Sequence, residues 1–400
     1  MKKYLKIFLV LGMIFSAMLL PAAVDAEQEE IFSYEISVDD VIITGCDTGV
    51  SGSVTIPKTI AGYPVGGIGA SAFAGCAGLT EIVIPDSVES IGYGAFYGCS
   101  NLTELRIPNR VTSIGNYAFY ECSGLTELIL PESVVSIGEF AFCWCSKLEK
   151  INIPDGVTRI REETFAECGS LREMILPEGI QEIGASAFAD CTSLTDITIP
   201  ESVTRIGDHA FSYCYSLKGM KIPNGVKRID RYAFLKCDLL TSITIPGSVT
   251  TIGECAFRSC GGLKSVIIPS SVKTIGNDAF LECPNLTLYC RAGSEAERFA
   301  KENNIPAQVS GFDAVINQFG EKIVVTAKLP EDDVSKNVHA ALYAKDGILL
   351  DYMIYPAEFS DHTVHFMFKK IPDSSYLRVF LWGGLETMTP LEDCVILNVQ

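Results

Sequence analysis

The chain has 400 residues, 48% of them hydrophobic, and carries a formal net charge of −18. Its apolar content excludes a disordered polymer, and its length allows more than one folding unit. The acidic balance repels phosphate backbones and argues against nucleic acid as a partner.

Lys2, Lys3 and Lys6 precede an apolar run from Ile7 to Leu20, followed by small residues ending Val24-Asp25-Ala26. That order predicts a secretory signal over residues 1–26, cleaved after Ala26. The run is shorter than the ~20 apolar residues a membrane span needs. Removal of three lysines and one aspartate takes the net charge to −20. A secreted, soluble mature chain is expected.

Residues 27–56 read as an N-terminal β cap, in which Tyr34–Val38 and Val41–Thr44 have the pattern of hairpin strands. A 23-residue unit then recurs ten times: Pro-x-x-Val-x-x-Ile-Gly-x-x-Ala-Phe-x-x-Cys-x-x-Leu-x-x-Ile-x-Ile. The phenylalanine column runs from Phe73 to Phe280, the isoleucine column from Ile68 to Ile275, and the cysteine column from Cys76 to Cys283. Self-similarity at a short fixed period predicts a solenoid, here ten coils over residues 57–290. Each coil contacts mainly its neighbours and leaves a long wall open to partners.

Within residues 102–124, Leu102, Leu105 and Ile107 face inward from a short strand that Pro108 ends. Val111 and Ile114 form a second inward side. Ala118 and Phe119 are expected on a helical or 3₁₀ turn that brings Cys122 inward. In-register cysteines about 4.8 Å apart all point the same way, a poor geometry for disulfides. The ten periodic cysteines therefore read as buried thiols. Cys46, Cys143, Cys255, Cys290 and Cys394 lie outside the column. Cys143-Trp144-Cys145 is spaced too closely for an ordinary zinc site, and no metal or cofactor is expected.

The motif Leu-x-x-Ile-x-Ile-Pro-x-x-Val-x-x-Ile-Gly-x-x-Ala-Phe-x-x-Cys resembles the BspA-type leucine-rich repeats, matching from about residue 54 to 290. The resemblance implies a curved solenoid on secreted or surface proteins, associated with adhesion and protein binding and carrying no catalytic residues. The asparagine ladder of the wider leucine-rich class is absent; that neighbourhood holds Ser87, Arg110, Ser133 and Gly156. Arg161 and Asp230 replace the column glycine, and Thr164 replaces the alanine. If the glycine position requires φ > 0, Arg161 is strained there.

Residues 291–309 are predicted to form a C-terminal cap, with Ser294 as N-cap of a helix that Asn304 and Pro306 end. From 310 to 400 the period vanishes. Lys322–Leu329, Ala340–Tyr343, Val364–Phe368 and Leu377–Trp382 read as short strands, which suggests a small all-β sandwich. The fold expected overall is a β-rich solenoid of short parallel strands plus 3₁₀ or helical turns, followed by that sandwich.

Two surfaces are candidate ligand sites. Glu81, Glu104, Glu127, Lys150, Glu173 and Asp196 form one column beside the strand isoleucines. With Val83, Arg106, Ile129, Asn152, Ile175 and Thr198 they pave the sheet face with acids and apolar residues suited to a cationic protein segment. A merely solvated strand face is the plainer reading, although stacked like charges are unfavourable. Tyr93, Tyr97, Tyr117, Tyr120, Phe140 and Trp144 fall on outward turn positions, where exposed aromatics suit protein or sugar. Lateral packing among those rings is the plainer reading there. Arg159, Arg205, Lys227 and Arg228 read as a polar rim.

Catalytic signals are thin. His362-x-x-His365 lacks the glutamate and helical context of a zinc protease. His209 and Cys255 share a repeat position two coils, ~10 Å, apart, too far for a nucleophile and its base. The expected function is non-enzymatic binding or adhesion to an extracellular protein by a secreted or cell-surface bacterial chain. A carbohydrate or cell-wall binder and a spacer presenting the C-terminal domain are the alternatives. The sequence leaves the oligomeric state open.

Overall fold

The computed structural model describes residues 31–310 continuously and, beyond them, the backbone of seven strands between residues 313 and 398. The signal expected over residues 1–26 lies outside the described residues.

The repeat closes into a coil with three sides. On the first, the Val-x-x-Ile-Gly stretch forms two-residue strands paired in parallel with the coil 23 residues on, such as Ser90–Ile91 with Ser113–Ile114. Each coil enters this side through a proline-headed turn, as in Val111 N–H donating to the Pro108 carbonyl at 3.1 Å. On the second side the Leu-x-x-Ile-x-Ile stretch forms strands such as Glu127–Leu128, paired with Lys150–Ile151.

The third side differs from expectation. It is neither 3₁₀ nor α-helical; the helix Glu295–Glu302 is the only one among the described residues. Instead, two residues per coil adopt left-handed backbone, Tyr117 and Glu121 in one and Phe140 and Trp144 in the next. Single reversals of this kind bring alternate amides toward the neighbouring coil. Tyr117, Phe119 and Glu121 N–H donate to the carbonyls of Glu139, Ala141 and Cys143 at 2.8–2.9 Å. Left-handed backbone costs a non-glycine residue about 1–2 kcal/mol, a cost this ladder offsets in every coil.

The interior is one continuous column. Phenylalanine rings from Phe73 to Phe280 stack at centroid separations of 5.1–5.5 Å and within 13° of parallel. Each end is closed by an edge-on ring, Phe32 upon Phe73 and Phe299 upon Phe280. All fourteen described cysteines are free thiols. From Cys99 to Cys283 each column thiol donates to the phenylalanine carbonyl of the preceding coil at 3.1–3.2 Å. This thiol ladder binds coil to coil. Where serine occupies the neighbourhood without asparagine, Ser87, Ser133, Ser202 and Ser248 donate to carbonyls of the coil before.

Irregular end turns lengthen the stack to about 12 turns, beyond the ten motif copies. At the start, β1 (Phe32–Ile36) pairs antiparallel with β2 (Val41–Cys46), and β2 joins Tyr63–Ile68 in parallel. At the end, α1 (Glu295–Glu302) is capped by Ser294, whose side chain accepts the Glu297 N–H, and buries Ala296, Phe299 and Ala300. Asn304 is left-handed immediately after it, and Ala307–Ser310 adds a parallel strand to Thr287–Arg291.

The column glycines do not have positive φ. They permit close approach: a Cβ on Gly115 would lie 2.6–2.7 Å from the Gly92 and Tyr93 backbone. Arg161 carries such a Cβ, and the first-side sheet breaks there. Gly138 and Gly184 N–H bond to Ile114 and Ile160 carbonyls at 2.9 and 2.8 Å, but Arg161 makes no equivalent bond. Ser136–Ile137 and Arg159–Ile160 do not pair with each other. Thr164 complements the gap; its buried hydroxyl is 3.0 Å from the Arg161 carbonyl and 3.4 Å from that of Gly138. At the other exception the sheet persists, and the buried Asp230 carboxylate accepts from Arg205 and Arg228 at 2.9 and 3.1 Å.

Beyond residue 312 the strands form two antiparallel sheets. One contains Asp313–Phe319, Lys322–Lys328 and Thr363–Lys369; the other contains Leu349–Pro356, Asn337–Ala344, Ser374–Trp382 and Val395–Asn398. Among the described residues no helix is long and apolar enough to cross a membrane.

Candidate functional site

The second side of the coil positions the acidic column. Its strands alternate, so Ile82, Leu128 and Ile151 turn inward while Glu81, Glu127 and Lys150 turn outward. Registered pairing makes Glu81 a neighbour of Glu104, Glu127 of Lys150, and Glu173 of Asp196. Two like-charged pairs therefore stand at strand spacing on an exposed face.

This face is interrupted. Glu104–Leu105 does not pair with Glu127–Leu128, nor Lys150–Ile151 with Glu173–Ile175. A groove lies at each interruption. One, of about 530 Å³, is lined by Val83, Leu105, Arg106 and Ile129 with Glu81, Glu104 and Glu127. The other, of about 620 Å³, is lined by Ile129, Ile151, Asn152 and Ile175 with Glu127, Lys150 and Glu173. Glu127 and Ile129 belong to both, so the grooves form one surface, while Asp196 lines neither. Ile129 and Ile175 are 69% and 76% exposed, uncommon for isoleucines with no cover. Asn152 is engaged structurally: its amide accepts the Leu130 N–H at 2.7 Å and donates to the Leu130 carbonyl at 2.9 Å. It replaces ladder bonds, a role its sequence position did not reveal.

The third side gathers the aromatic candidates. Tyr117 stacks on Phe140 at 4.6 Å, Tyr97 on Tyr120 at 4.9 Å, and Tyr93 tilts against Tyr117 at 5.3 Å. Phe140 and Tyr120 also pack over a small buried cluster of Cys143, Ala166 and Ala189. Tyr93 and Trp144 remain the more exposed of the group, at 57% and 46%.

Three carboxylates missed by the sequence reading flank that cluster: Glu163, Glu167 and Asp190, each on a left-handed turn residue. Burial, then the charge of Glu162, raises Glu163 above the usual carboxylate value, against a weak lowering contact with the Cys143 thiol. Burial, then the charges of Asp190 and Glu163, raises Glu167, and burial raises Asp190. A folded-state value above the unfolded one favours the protonated fold at low pH. That contribution is lost as pH rises through the folded value. Glu163→Gln with Glu167→Gln should therefore melt above the parent chain at about pH 7, and the difference should shrink toward about pH 4. Thermal melts at the two pH values check this.

The basic residues resolve into a charge ladder along the first side. Arg159, Glu182, Arg205, Asp230 and Arg228 follow one another through contacts of 4.0, 2.9, 2.9 and 3.1 Å. This is the polar rim expected for Arg159, Arg205 and Arg228, and Lys227 is not among these ladder contacts. His209 stacks on Tyr232 at 4.6 Å, and burial lowers its pKa. Tyr232 belongs to the coil between His209 and the buried Cys255, in keeping with their two-coil separation. His365 pairs with Thr326, and His362 lies outside the described residues. Among the described residues, no group of three or more His, Cys, Asp or Glu could hold a metal ion.

Coils of two short parallel strand sides around a phenylalanine spine define a leucine-rich repeat solenoid. The profile of the BspA type leucine rich repeat region matches in six copies over residues 66–192 and 158–287, and the chain belongs to that family. Similar solved structures include a leucine-rich repeat protein from Bacteroides ovatus, 26% identical, covering 70% of this chain and 98% of its own, with a TM-score of 0.36. A leucine rich cell surface protein from Faecalibacterium prausnitzii is 25% identical over 72% and 98%, with a TM-score of 0.35. The pneumococcal vaccine antigen PcpA is 17% identical over 70% and 97%, with a TM-score of 0.39. No curated protein matches the chain.

Proposed function

We propose that the chain is a secreted or surface-held bacterial binding protein, without catalytic activity, that adheres to an extracellular protein through the strand face of its solenoid. The observation that carries this reading is the row of exposed aliphatic side chains, Val83, Ile129 and Ile175, set among Glu81, Glu104, Glu127 and Glu173 across two joined grooves. Uncovered aliphatics beside acids suit a cationic segment with apolar anchors. Family membership supports binding as the activity, and the lysine-led apolar run of residues 1–26 supports export. In this reading residues 27–56 and 291–309 cap the stack, 57–290 bind, and the two sheets of 310–400 pack as a small sandwich.

The test is binding of the full chain to a panel of purified extracellular-matrix proteins and to a glycan array. Ile129→Asp with Ile175→Asp should lower binding to a matrix protein at least tenfold, and added salt should weaken the parent interaction. Strong glycan binding abolished by Trp144→Ala and untouched by the strand-face changes would replace the protein ligand with a sugar. That outcome has its own footing in the exposed Tyr93 and Trp144.

A further inference from the structure

The thiol ladder has one irregular rung, at its first position. Every column cysteine from Cys99 onward is held by a phenylalanine carbonyl at 3.1–3.2 Å. Cys76 has no full coil beneath it and so lacks such a carbonyl. Its sulfur instead lies 3.8 Å from the carbonyl oxygen of Asp47, the residue following Cys46. The Cys46 and Cys76 side chains are in hydrogen-bond contact with one another. Cys46 ends β2 and packs against the core that contains Cys76, but it is half-buried, whereas Cys76 is fully buried. It leads into an exposed turn, Asp47-Thr48-Gly49, closed by Val50 N–H donating to the Asp47 carbonyl at 3.1 Å.

We propose that Cys46 and Cys76 are a disulfide-forming pair that fastens the N-terminal cap to the first repeat, where a column thiol faces a cysteine outside the column. The proposal does not depend on the identity of the ligand. Two features separate this pair from neighbouring rungs. Column cysteines project in parallel from in-register coils and are fixed by their carbonyls, the wrong geometry for bridging. Cys46 instead ends β2, ahead of the exposed turn Asp47-Thr48-Gly49 and outside the repeat register. The contact with Cys76, then burial, pushes the Cys46 thiol up, while the same contact draws Cys76 down. The pair therefore gives up one proton more readily than an isolated buried thiol does.

The oxidant is a low-molecular-weight disulfide, with glutathione disulfide as the probe. Cys46 passes its proton to the Cys76 sulfur, and the Cys46 thiolate so formed attacks glutathione disulfide from the half-exposed side, forming a mixed disulfide and releasing one glutathione thiolate. Cys76 then gives up its proton to solvent and attacks the Cys46 sulfur. The Cys46–Cys76 bond forms, the bond to glutathione breaks, and a second glutathione thiolate leaves. The two electrons lost by the protein thiols reside on two reduced glutathione molecules.

Full-length chain is incubated with glutathione disulfide, denatured, alkylated and mapped by mass spectrometry after cleavage at Lys58 and Glu81, which separates Cys46, Cys76 and Cys99. The expected result is one Cys46–Cys76 cross-link and thirteen alkylated cysteines out of fifteen. Dithiothreitol should then lower the melting temperature of the oxidised chain by at least about 3 °C and leave Cys46→Ser unaffected. Cys46→Ser alters a half-buried cap residue, so a circular dichroism spectrum matching the parent confirms that it folds. Fifteen alkylated thiols, a link elsewhere such as Cys260–Cys283, or an equal response in Cys46→Ser would overturn the proposal.

Discussion

Phe188→Ala should lower the free energy of unfolding by about 4 kcal/mol and split the melt of the solenoid. The ring is fully buried and lies between Phe165 at 5.5 Å and Phe211 at 5.4 Å, each within 13° of parallel. Truncation removes the transfer energy of a phenylalanine, roughly 1.5–3 kcal/mol, and adds the cost of the remaining cavity. Collapse into that cavity is restricted on two of the coil's sides. The Phe188 amide donates to Ala210 at 2.9 Å, its carbonyl receives the Cys214 thiol at 3.2 Å, and Ile183 pairs with Ile160 and Ile206. A coil in a solenoid draws stability from its two neighbours, so weakening one interface partly uncouples the flanking segments. Guanidinium unfolding should therefore become broader, with hydrogen exchange accelerated most around residues 165–211. Phe280→Ala should cost less, because that residue has a column ring on one side and the edge of Phe299 on the other. A change below about 1 kcal/mol at Phe188, with an unaltered transition, would show that the spine is not the source of cohesion.

The repeat columns made the interior legible because residues 23 apart occupy equivalent places, and burial then follows from residue type. Phe119, Cys122, Val111 and Ile114 needed no further information. Outward positions on the strands were legible for the same reason, since alternation about Ile82 or Ile151 fixes which neighbours face solvent. Backbone reversals were not legible. Left-handed residues are ordinarily marked by glycine, yet here Tyr117, Trp144, Glu163 and His209 occupy them. Inter-coil bonds hold those conformations, and no local propensity records such bonds. The grooves were hidden for a related reason: whether Glu104–Leu105 pairs with Glu127–Leu128 depends on a small separation between coils. Asn152 illustrates the same limit, because its bracket on Leu130 exists only once two coils are stacked.

Gly115→Ala and Arg161→Gly should move stability in opposite directions. A methyl on residue 115 would meet the Gly92 carbonyl carbon at 2.6 Å and the Tyr93 nitrogen at 2.7 Å, distances at which backbone must move. The bond from Gly115 N–H to the Ile91 carbonyl, 2.8 Å, would lengthen with the displacement, as at Asp230, whose N–H lies 3.2 Å from the Ile206 carbonyl. Overpacking of this kind costs about 1–3 kcal/mol. Arg161 presents the natural outcome of that same substitution: the adjoining strands are separate, and Thr164 bonds across the gap that an alanine would leave. Restoring glycine at 161 with alanine at 164 removes both the obstruction and its complement, and should close the two first-side sheets into one. The double change should stabilise the chain by about 1 kcal/mol and slow exchange of the residue 161 amide, whereas Thr164→Ala alone should destabilise by leaving the cleft unfilled. Equal loss of stability from the double and the single change, measured by denaturant unfolding, would mean that the seam is not set by the side chain at 161. Retention of parent stability in Gly115→Ala would carry the same message for the column as a whole, because every regular coil relies on that bare approach.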